Sequence, residues 1–283
     1  MFITQIKYMN LRKIAESGQC FRMHMTDDTH AELVAYNRYL QIAELEDNNY
    51  AFSCSEKEFK TIWAEYFDLS GDYEGTIRKI RPDDAFLTEA AQYSYGIRIL
   101  KQEHFETLIS YIISQRKSIP SIMTSVERIA EQYGNIITID NEVFENHIFA
   151  KPLKKKYYSF PNPQELDKAD ITALRRLGVG YRAEYIYDAV KRINTNMLNL
   201  TELEKCDDSS LYERLLDIHG VGKKVANCVM LYSYARTKRF PIDVWIQRIL
   251  DKYYDGSFDE NIYGDSNGIL QQLMFYFERT KGI

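Results

Sequence analysis

The stretch HGVGKKVANC, His219 to Cys228, decides how this chain folds. Two glycines flank a valine, and two lysines follow at the mouth of what reads as a helix. Upstream, SSLYERLLDI has helical periodicity that ends near Leu216, and a second helix starts near Gly222. The sequence therefore predicts a helix-hairpin-helix over about residues 211–235. Gly220 and Gly222 permit the positive φ and close backbone approach of a tight turn. The amides that open the second helix lack intrahelical partners and suit a phosphate. Taken alone, this is an ordinary helical hairpin with a basic start.

Outward from the hairpin the texture is helical as far back as about residue 100. EHFETLISYIISQ puts Phe105, Leu108, Ile109, Ile112 and Ile113 on one stripe. SIMTSVERIAEQYG ends on Gly134, a natural C-cap residue. DKADITALRRLGVG and RAEYIYDAVKRINT form a helical pair around Gly178–Tyr181, and PIDVWIQRILDKYY and an amphipathic GILQQLMFYFERT follow the hairpin. Residues 1 to about 55 read as strands, with EDNN (Glu46–Asn49) as turn chemistry, and SEKEFKTIWAEYFDL reads as helical. AKPLKKKYYSFPNPQ reads as a linker whose lysines, Lys154–Lys156, form a solvated loop. The expected class is α+β: an N-terminal antiparallel β-sheet domain with flanking helices (1–98) packed on a larger all-helical body (99–283).

Composition excludes several classes. A chain of 283 residues, 45% hydrophobic and 27% charged, is an ordinary globular protein. No apolar run approaches the roughly 18 residues of a membrane span, and the N-terminus has no signal-peptide core. The chain is expected to stay where it is made, free of membrane. Cys20, Cys54, Cys206 and Cys228 have no CxxC spacing, which argues against zinc and against a four-cysteine iron–sulfur cluster. A net charge of −5 leaves nucleic-acid binding to a local patch.

Two features move the hairpin beyond the ordinary. Lys224 sits in the first turn of the second helix, where the positive end of the dipole favours the neutral, nucleophilic amine. Cys228 follows four residues on, on the same face. Downstream, Asp243 stands where an N-cap belongs, in Pro241-Ile242-Asp243. Capping is one explanation of Asp243; an acid beside a nucleophilic amine is another.

This combination resembles the helix-hairpin-helix, Gly/Pro-rich, Asp-containing DNA glycosylase superfamily. The turn, the lysine two residues after the second glycine, and the Pro-x-Asp 17 to 19 residues downstream of it all match. By that resemblance Lys224, not Lys223, is the nucleophile of a bifunctional glycosylase that also cleaves the strand, and Asp243 is the essential acid. Three further stretches resemble the 8-oxoguanine DNA glycosylases: SGQCFRM (Ser17–Met23), LGVGYRAEYI (Leu177–Ile186) and GILQQLMFYF (Gly268–Phe277). The matches run in order along nearly the whole chain.

The resemblance implies roles. Phe275 and Cys228 stack on the two faces of a flipped base, and Gln271 reads its Watson–Crick edge. The Gly18 carbonyl accepts from N7–H, which oxidation creates and guanine lacks. Tyr181 wedges into the duplex and Arg182 meets the orphaned base. The carbonyls of Leu216, Ile218 and Val221 hold a monovalent cation, K⁺ or Na⁺, that bridges to a DNA phosphate; no other cofactor is implied. Cys20 falls at a variable position.

The chain also departs from the pattern. Arg116 replaces an asparagine, Ser121 an arginine that recognises cytosine, Met23 a tryptophan, and Trp245 a phosphate-contacting histidine. These changes place it outside the animal and fungal branch, as a bacterial or archaeal monomer working on duplex DNA in the cytoplasm, at the nucleoid. Two other readings stand beside this one. An alkylated-purine glycosylase of the same superfamily would lack the hairpin lysine and the Gln271/Phe275 pair. A non-catalytic helix-hairpin-helix DNA-binding protein would need neither Asp243 nor the β domain.

Overall fold

The computed structural model describes residues 1–139 and 147–281. Strands β1 (Phe2–Gln5), β2 (Met23–Met25), β3 (His30–Ala35), β4 (Arg38–Glu44) and β5 (Asn49–Phe52) form one antiparallel sheet in the order β1-β5-β4-β3-β2. The long β-prone run HAELVAYNRYLQIAELE is a hairpin. Ala35 pairs with Arg38, leaving Tyr36 and Asn37 as a two-residue loop with φ of 51° and 57°. That geometry matches the right-handed twist of the flanking strands. At Glu46–Asn49 the expected turn is present, with Asp47 and Asn48 also at positive φ.

One expectation fails in this region. The first 55 residues are not all strand and loop: α1 (Leu11–Glu16) interrupts them. Asn10 caps it by accepting from the Lys13 amide at 2.9 Å, and Leu11, Ile14 and Ala15 turn inward. A short apolar face behind a cap suffices for a helix that packs on a sheet. The sheet's core, including Leu33, Leu40, Ile42 and Phe52, closes on Trp63 and Tyr66 from helical residues 56–66 and on Phe67 just after them.

The helical body has its own core, and Tyr73, Leu87 and Ala91 from the first third of the chain are buried with it. Its elements are α2 (Ala85–Tyr93), α3 (His104–Ser114), α4 (Ile119–Tyr133), α5 (Ala183–Asn194), α6 (Asp208–Leu216), α7 (Lys223–Tyr232), α8 (Val244–Tyr253) and α9 (Asn267–Lys281). The predicted stripe on α3 faces inward, with Leu108, Ile109, Ile112 and Ile113 buried and Phe105 half-buried. Helices α3 and α7 run antiparallel. Ser114 meets Lys224 at one end, and His104 Nδ1 lies 2.5 Å from Ser233 Oγ at the other. The terminal helix α9 is not amphipathic over its first two turns. Asn267 to Met274 are all buried, because α2, α8 and the loop after α7 enclose it.

A buried polar seam fixes the sheet against the body. Gln19 has no exposed surface. Its Nε2 donates to Ser17 Oγ at 2.9 Å and to the Arg98 carbonyl at 2.8 Å, and its Oε1 accepts from the Leu100 amide at 2.8 Å. The Gln19 carbonyl accepts from Gln102 Nε2 at 2.9 Å and from the Tyr111 hydroxyl at 3.2 Å. Each bond compensates desolvation that would otherwise disfavour burial. Near the sheet, Arg22 is buried and donates to Glu127 on α4 at 2.7 Å.

The linker reading of residues 150–164 is also revised. Tyr157–Tyr158 pairs with Ile136–Ile137, and Lys154 bonds Glu127 at 2.6 Å. At least one lysine of the run is thus engaged within the protein. Gly134 does follow α4, but with extended backbone (φ −82°, ψ 172°). Glycine is needed there for space, since a Cβ would stand 1.9 Å from the Ser159 carbonyl oxygen. Gly134→Ala should therefore lower stability by about 1–3 kcal/mol through overpacking. Urea unfolding would show it, and an unshifted midpoint would mean that the Ser159 backbone yields freely.

Candidate active site

The predicted hairpin is present: α6 ends at Leu216, the chain turns at Gly220 (φ 82°), and Gly222 caps α7. Gly220 packs on the Tyr185 ring so closely that a Cβ would lie 2.2 Å from Cγ. Gly222 faces open space at the helix start, as an anion site requires. Lys223 points to solvent. Lys224 is half-buried, with Nζ 3.3 Å from Ser114 Oγ and 5.0 Å from the centre of the Tyr111 ring.

Asp243 caps α8, its Oδ1 accepting from the Trp245 and Ile246 amides, each at 2.9 Å. The capping carboxylate also lines the cleft that holds Lys224. This cleft has a volume of about 860 Å³. Its walls include Gly18, Tyr111, Ile119, Val225 and Phe275, and its cations are Arg116, Lys117, Lys223, Lys224 and Arg279. Asp243 is the one carboxylate among its described lining residues. A chain of net charge −5 thus concentrates positive charge at one mouth.

Gly18 has φ 77°, a conformation that side chains rarely adopt. A Cβ there would come within 2.9 Å of Ile119 and 3.3 Å of Phe275. Phe275 is half-buried in the cleft wall, with the Arg279 guanidinium 5.6 Å from its ring centre. Cys228 and Gln271 lie deeper, each 3% exposed, and neither lines the open cleft. Gln271 Nε2 donates to the Pro241 carbonyl at 3.1 Å, while its buried Oε1 has no protein partner. Burial pushes the Cys228 thiol up to about 11; the Lys224 ammonium pulls it down and the Asp243 carboxylate adds to the rise. Cys228 is therefore a neutral thiol beneath the amine and the acid.

The residues read as DNA contacts divide. Tyr181 stands out from its loop at 49% exposure, edge-on to Tyr185, which meets His219 of the hairpin in turn. Arg116 is exposed at the cleft mouth with φ 50°, a strained value for arginine at a place where the family pattern has asparagine. Trp245 is half-buried in the cleft wall with Arg248 over its ring. Arg182 differs from expectation. It is 6% exposed and donates to the carbonyls of Val179 and Gln115, so contact with an orphaned base requires those bonds to be exchanged. Ser121 is exposed and bonds Ser118 at 3.0 Å.

Several neighbours went unread in the sequence. Ser114 and Tyr111 approach Lys224. Gln115 ties α3 to the hairpin through the Gly220 carbonyl at 3.0 Å. Lys117 donates to the Gly178 carbonyl at 2.7 Å and to Ser125, latching the mouth of the cleft to the Tyr181 loop. Burial and the nearby Arg182 and Arg128 lower the Lys117 pKa. The available signal was a run of polar residues, Ser114 to Ser118, ending an apolar helix.

A half-buried amine and a carboxylate in one cleft, beside a helix-hairpin-helix, are the features of a DNA base-excision class. Comparison with known proteins agrees. Residues 1–108 match the 8-oxoguanine DNA glycosylase N-terminal domain, and residues 109–260 match the HhH-GPD superfamily of base excision DNA repair proteins. A probable N-glycosylase/DNA lyase of Methanothermobacter thermautotrophicus is 31% identical over 77% of this chain and 74% of its own. A structure described as MBOgg1 with a low-affinity DNA ligand superposes with a TM-score of 0.89 at 35% identity, covering 99% of this chain and 96% of that one. The Clostridium acetobutylicum 8-oxoguanine glycosylase/lyase, bound to duplex DNA with cytosine opposite the lesion, gives a TM-score of 0.86 at 29% identity, covering 100% and 99%. The chain belongs to the HhH-GPD superfamily of base excision DNA repair proteins, with the N-terminal domain of the 8-oxoguanine DNA glycosylases.

The thiols offer a direct check. Iodoacetamide at neutral pH should label the partly exposed Cys206 first and leave Cys228 unmodified until the protein unfolds. Mass spectrometry reads the order. Labelling of Cys228 as fast as Cys206 would contradict a buried, protonated thiol.

Proposed function

We propose that this protein releases 8-oxoguanine from duplex DNA and then cleaves the strand at the resulting abasic site. One observation carries the reading: Lys224, Asp243, Gly18 and Phe275, from four separated parts of the chain, line one cleft. A flipped base entering it meets an aromatic face at Phe275 and a carbonyl edge at Gly18. Gln271 holds an unsatisfied acceptor for the base edge beneath. The neutral amine of Lys224 attacks C1′ and the glycosidic bond breaks, with its electron pair leaving on the oxidised guanine, which takes up a proton. Asp243, fixed by its two capping bonds, stabilises positive charge on the sugar and accepts the proton lost by the amine. Opening of the sugar gives an imine on Lys224, from which loss of a C2′ proton eliminates the 3′ phosphate.

The implied monovalent cation fits the hairpin. Leu216 closes α6 at its negative end, and in the turn that follows the Ile218 carbonyl spends only one lone pair, on the Val221 amide at 3.0 Å; with the Val221 carbonyl these would hold the ion. When bound, the ion would supply positive charge toward a DNA phosphate. Among the described residues no group of His, Cys, Asp and Glu could hold a metal ion, and no helix is long and apolar enough to cross a membrane. The protein is read as a monomer on DNA, acting in the cytoplasm. A binding-only role leaves the half-buried Lys224 and its carboxylate unexplained, and an alkylated-purine glycosylase leaves Gly18 unexplained.

Lys224→Gln should abolish strand cleavage of an 8-oxoguanine duplex and keep lesion binding, whereas Lys223→Gln should stay active. The reverse pattern would shift the nucleophile by one residue. The base opposite the lesion should also be tolerated more broadly than an arginine at position 121 would allow. Ser121 offers no guanidinium fork to cytosine, and Arg182 is tied to carbonyls. Losing one such contact relaxes a preference by about 1–3 kcal/mol. Single-turnover rates opposite the four bases decide it. A cytosine preference of several orders of magnitude would assign that role to Arg116.

A further inference from the structure

We infer that Tyr111 is a positioning residue that couples lesion recognition to the nucleophile: its hydroxyl holds the backbone beside Gly18 while its ring seats Lys224. This rests on the reading of Gly18 given above. A glycine at φ 77° in a cleft wall has the freedom to swing its carbonyl, yet recognition by one acceptor requires that carbonyl to stay put. The carbonyls on either side of it are pinned. Ser17 O accepts from Gln272 Nε2 at 2.8 Å, and Gln19 O accepts from Gln102 Nε2 at 2.9 Å and from the Tyr111 hydroxyl at 3.2 Å.

The two pins are joined. The Tyr232 hydroxyl donates to Gln272 Oε1, and the Tyr232 and Tyr111 rings stack with centroids 5.5 Å apart and 11° between planes. Both phenols are buried and pushed to higher pKa by that burial, so both stay protonated donors at neutral pH. The same Tyr111 ring lies 5.0 Å from Lys224 Nζ, and Phe21 braces it edge-on at 5.6 Å. One side chain thus spans from the segment that distinguishes the lesion to the amine that attacks it. The two hydrogen bonds tie the Ser17–Gln19 segment to the helical body, while the stack, the Phe21 brace and the Lys224 contact lie within that body. An ordinary core aromatic would need only the stack.

Two substitutions separate the hydroxyl from the ring. Tyr111→Leu removes both; Tyr111→Phe keeps the ring and is nearly isosteric. Borohydride trapping on an abasic-site duplex reads the amine alone. Competition binding of 8-oxoguanine against guanine duplexes, in the Lys224→Gln background, reads discrimination alone. Tyr111→Leu should slow trapping by about tenfold, because the amine loses the ring that seats it for attack. Tyr111→Phe should recover most of that rate, yet lower lesion-over-guanine preference by about fivefold, as loss of one hydrogen bond implies. If Tyr111→Phe keeps the full preference, or if both variants lose trapping and preference in proportion, Tyr111 is only packing and the inference falls. If the unsubstituted enzyme itself shows no lesion preference and releases no 8-oxoguanine, the functional reading fails first.

Discussion

The side-chain amide of Gln19, buried without exposed surface, is the constraint on which the rest of the site depends. Its nitrogen is held by Ser17 Oγ and the Arg98 carbonyl, and its oxygen by the Leu100 amide. Those partners lie on the sheet side, Leu100 in the sheet's own core, while the Gln19 carbonyl accepts from Gln102 and from Tyr111 of the helical body, so the residue is fully paired only when the two are docked. A buried amide left unpaired costs about 1–3 kcal/mol, which makes the docked arrangement strongly specified. Gly18 sits between the two residues so fixed. Its unusual backbone is a consequence of the seam, and its place against Phe275 and Ile119 follows from it.

Charge is organised with the same economy. The chain carries more acid than base overall, yet the cleft gathers Arg116, Lys117, Lys223, Lys224 and Arg279 around one carboxylate. Elsewhere basic side chains are absorbed: Arg22 by Glu127, Lys154 by the same glutamate, and Arg182 by backbone carbonyls. The cleft sets five cations against one carboxylate. Duplex DNA is attracted there by a local field rather than by net charge, and salt should weaken that attraction.

Much of this was legible in the sequence because the signals are local. Gly-Val-Gly with helical periodicity on both sides gives the hairpin, and it puts Lys224 in the first turn of α7, where the structure has it. Asp243 shows its capping role in its spacing from the helix it opens. Tyr111, Gln115 and the buried Arg182 were not legible. Their partners stand 92, 105 and 67 residues away, and no periodicity encodes a hydrogen bond across that distance. Arg182 shows the cost of reading type alone. An arginine in a Gly-flanked loop suggests a DNA contact, but the fold first uses its donors to hold the loop against α3. The short helix α1 was missed for a related reason, since a six-residue helix owes its stability to the sheet beneath it.

In the proposed reaction the Lys224 amine becomes covalently joined to the sugar of the damaged nucleotide. Peptide mapping by mass spectrometry of the protein after borohydride reduction on an 8-oxoguanine duplex tests it most directly. The account predicts one modified site, with the reduced sugar remnant on the side-chain nitrogen of Lys224. A remnant on Lys223, on Lys117 or on the terminal amine would contradict it, because Lys224 is the amine held by Ser114 and the Tyr111 ring.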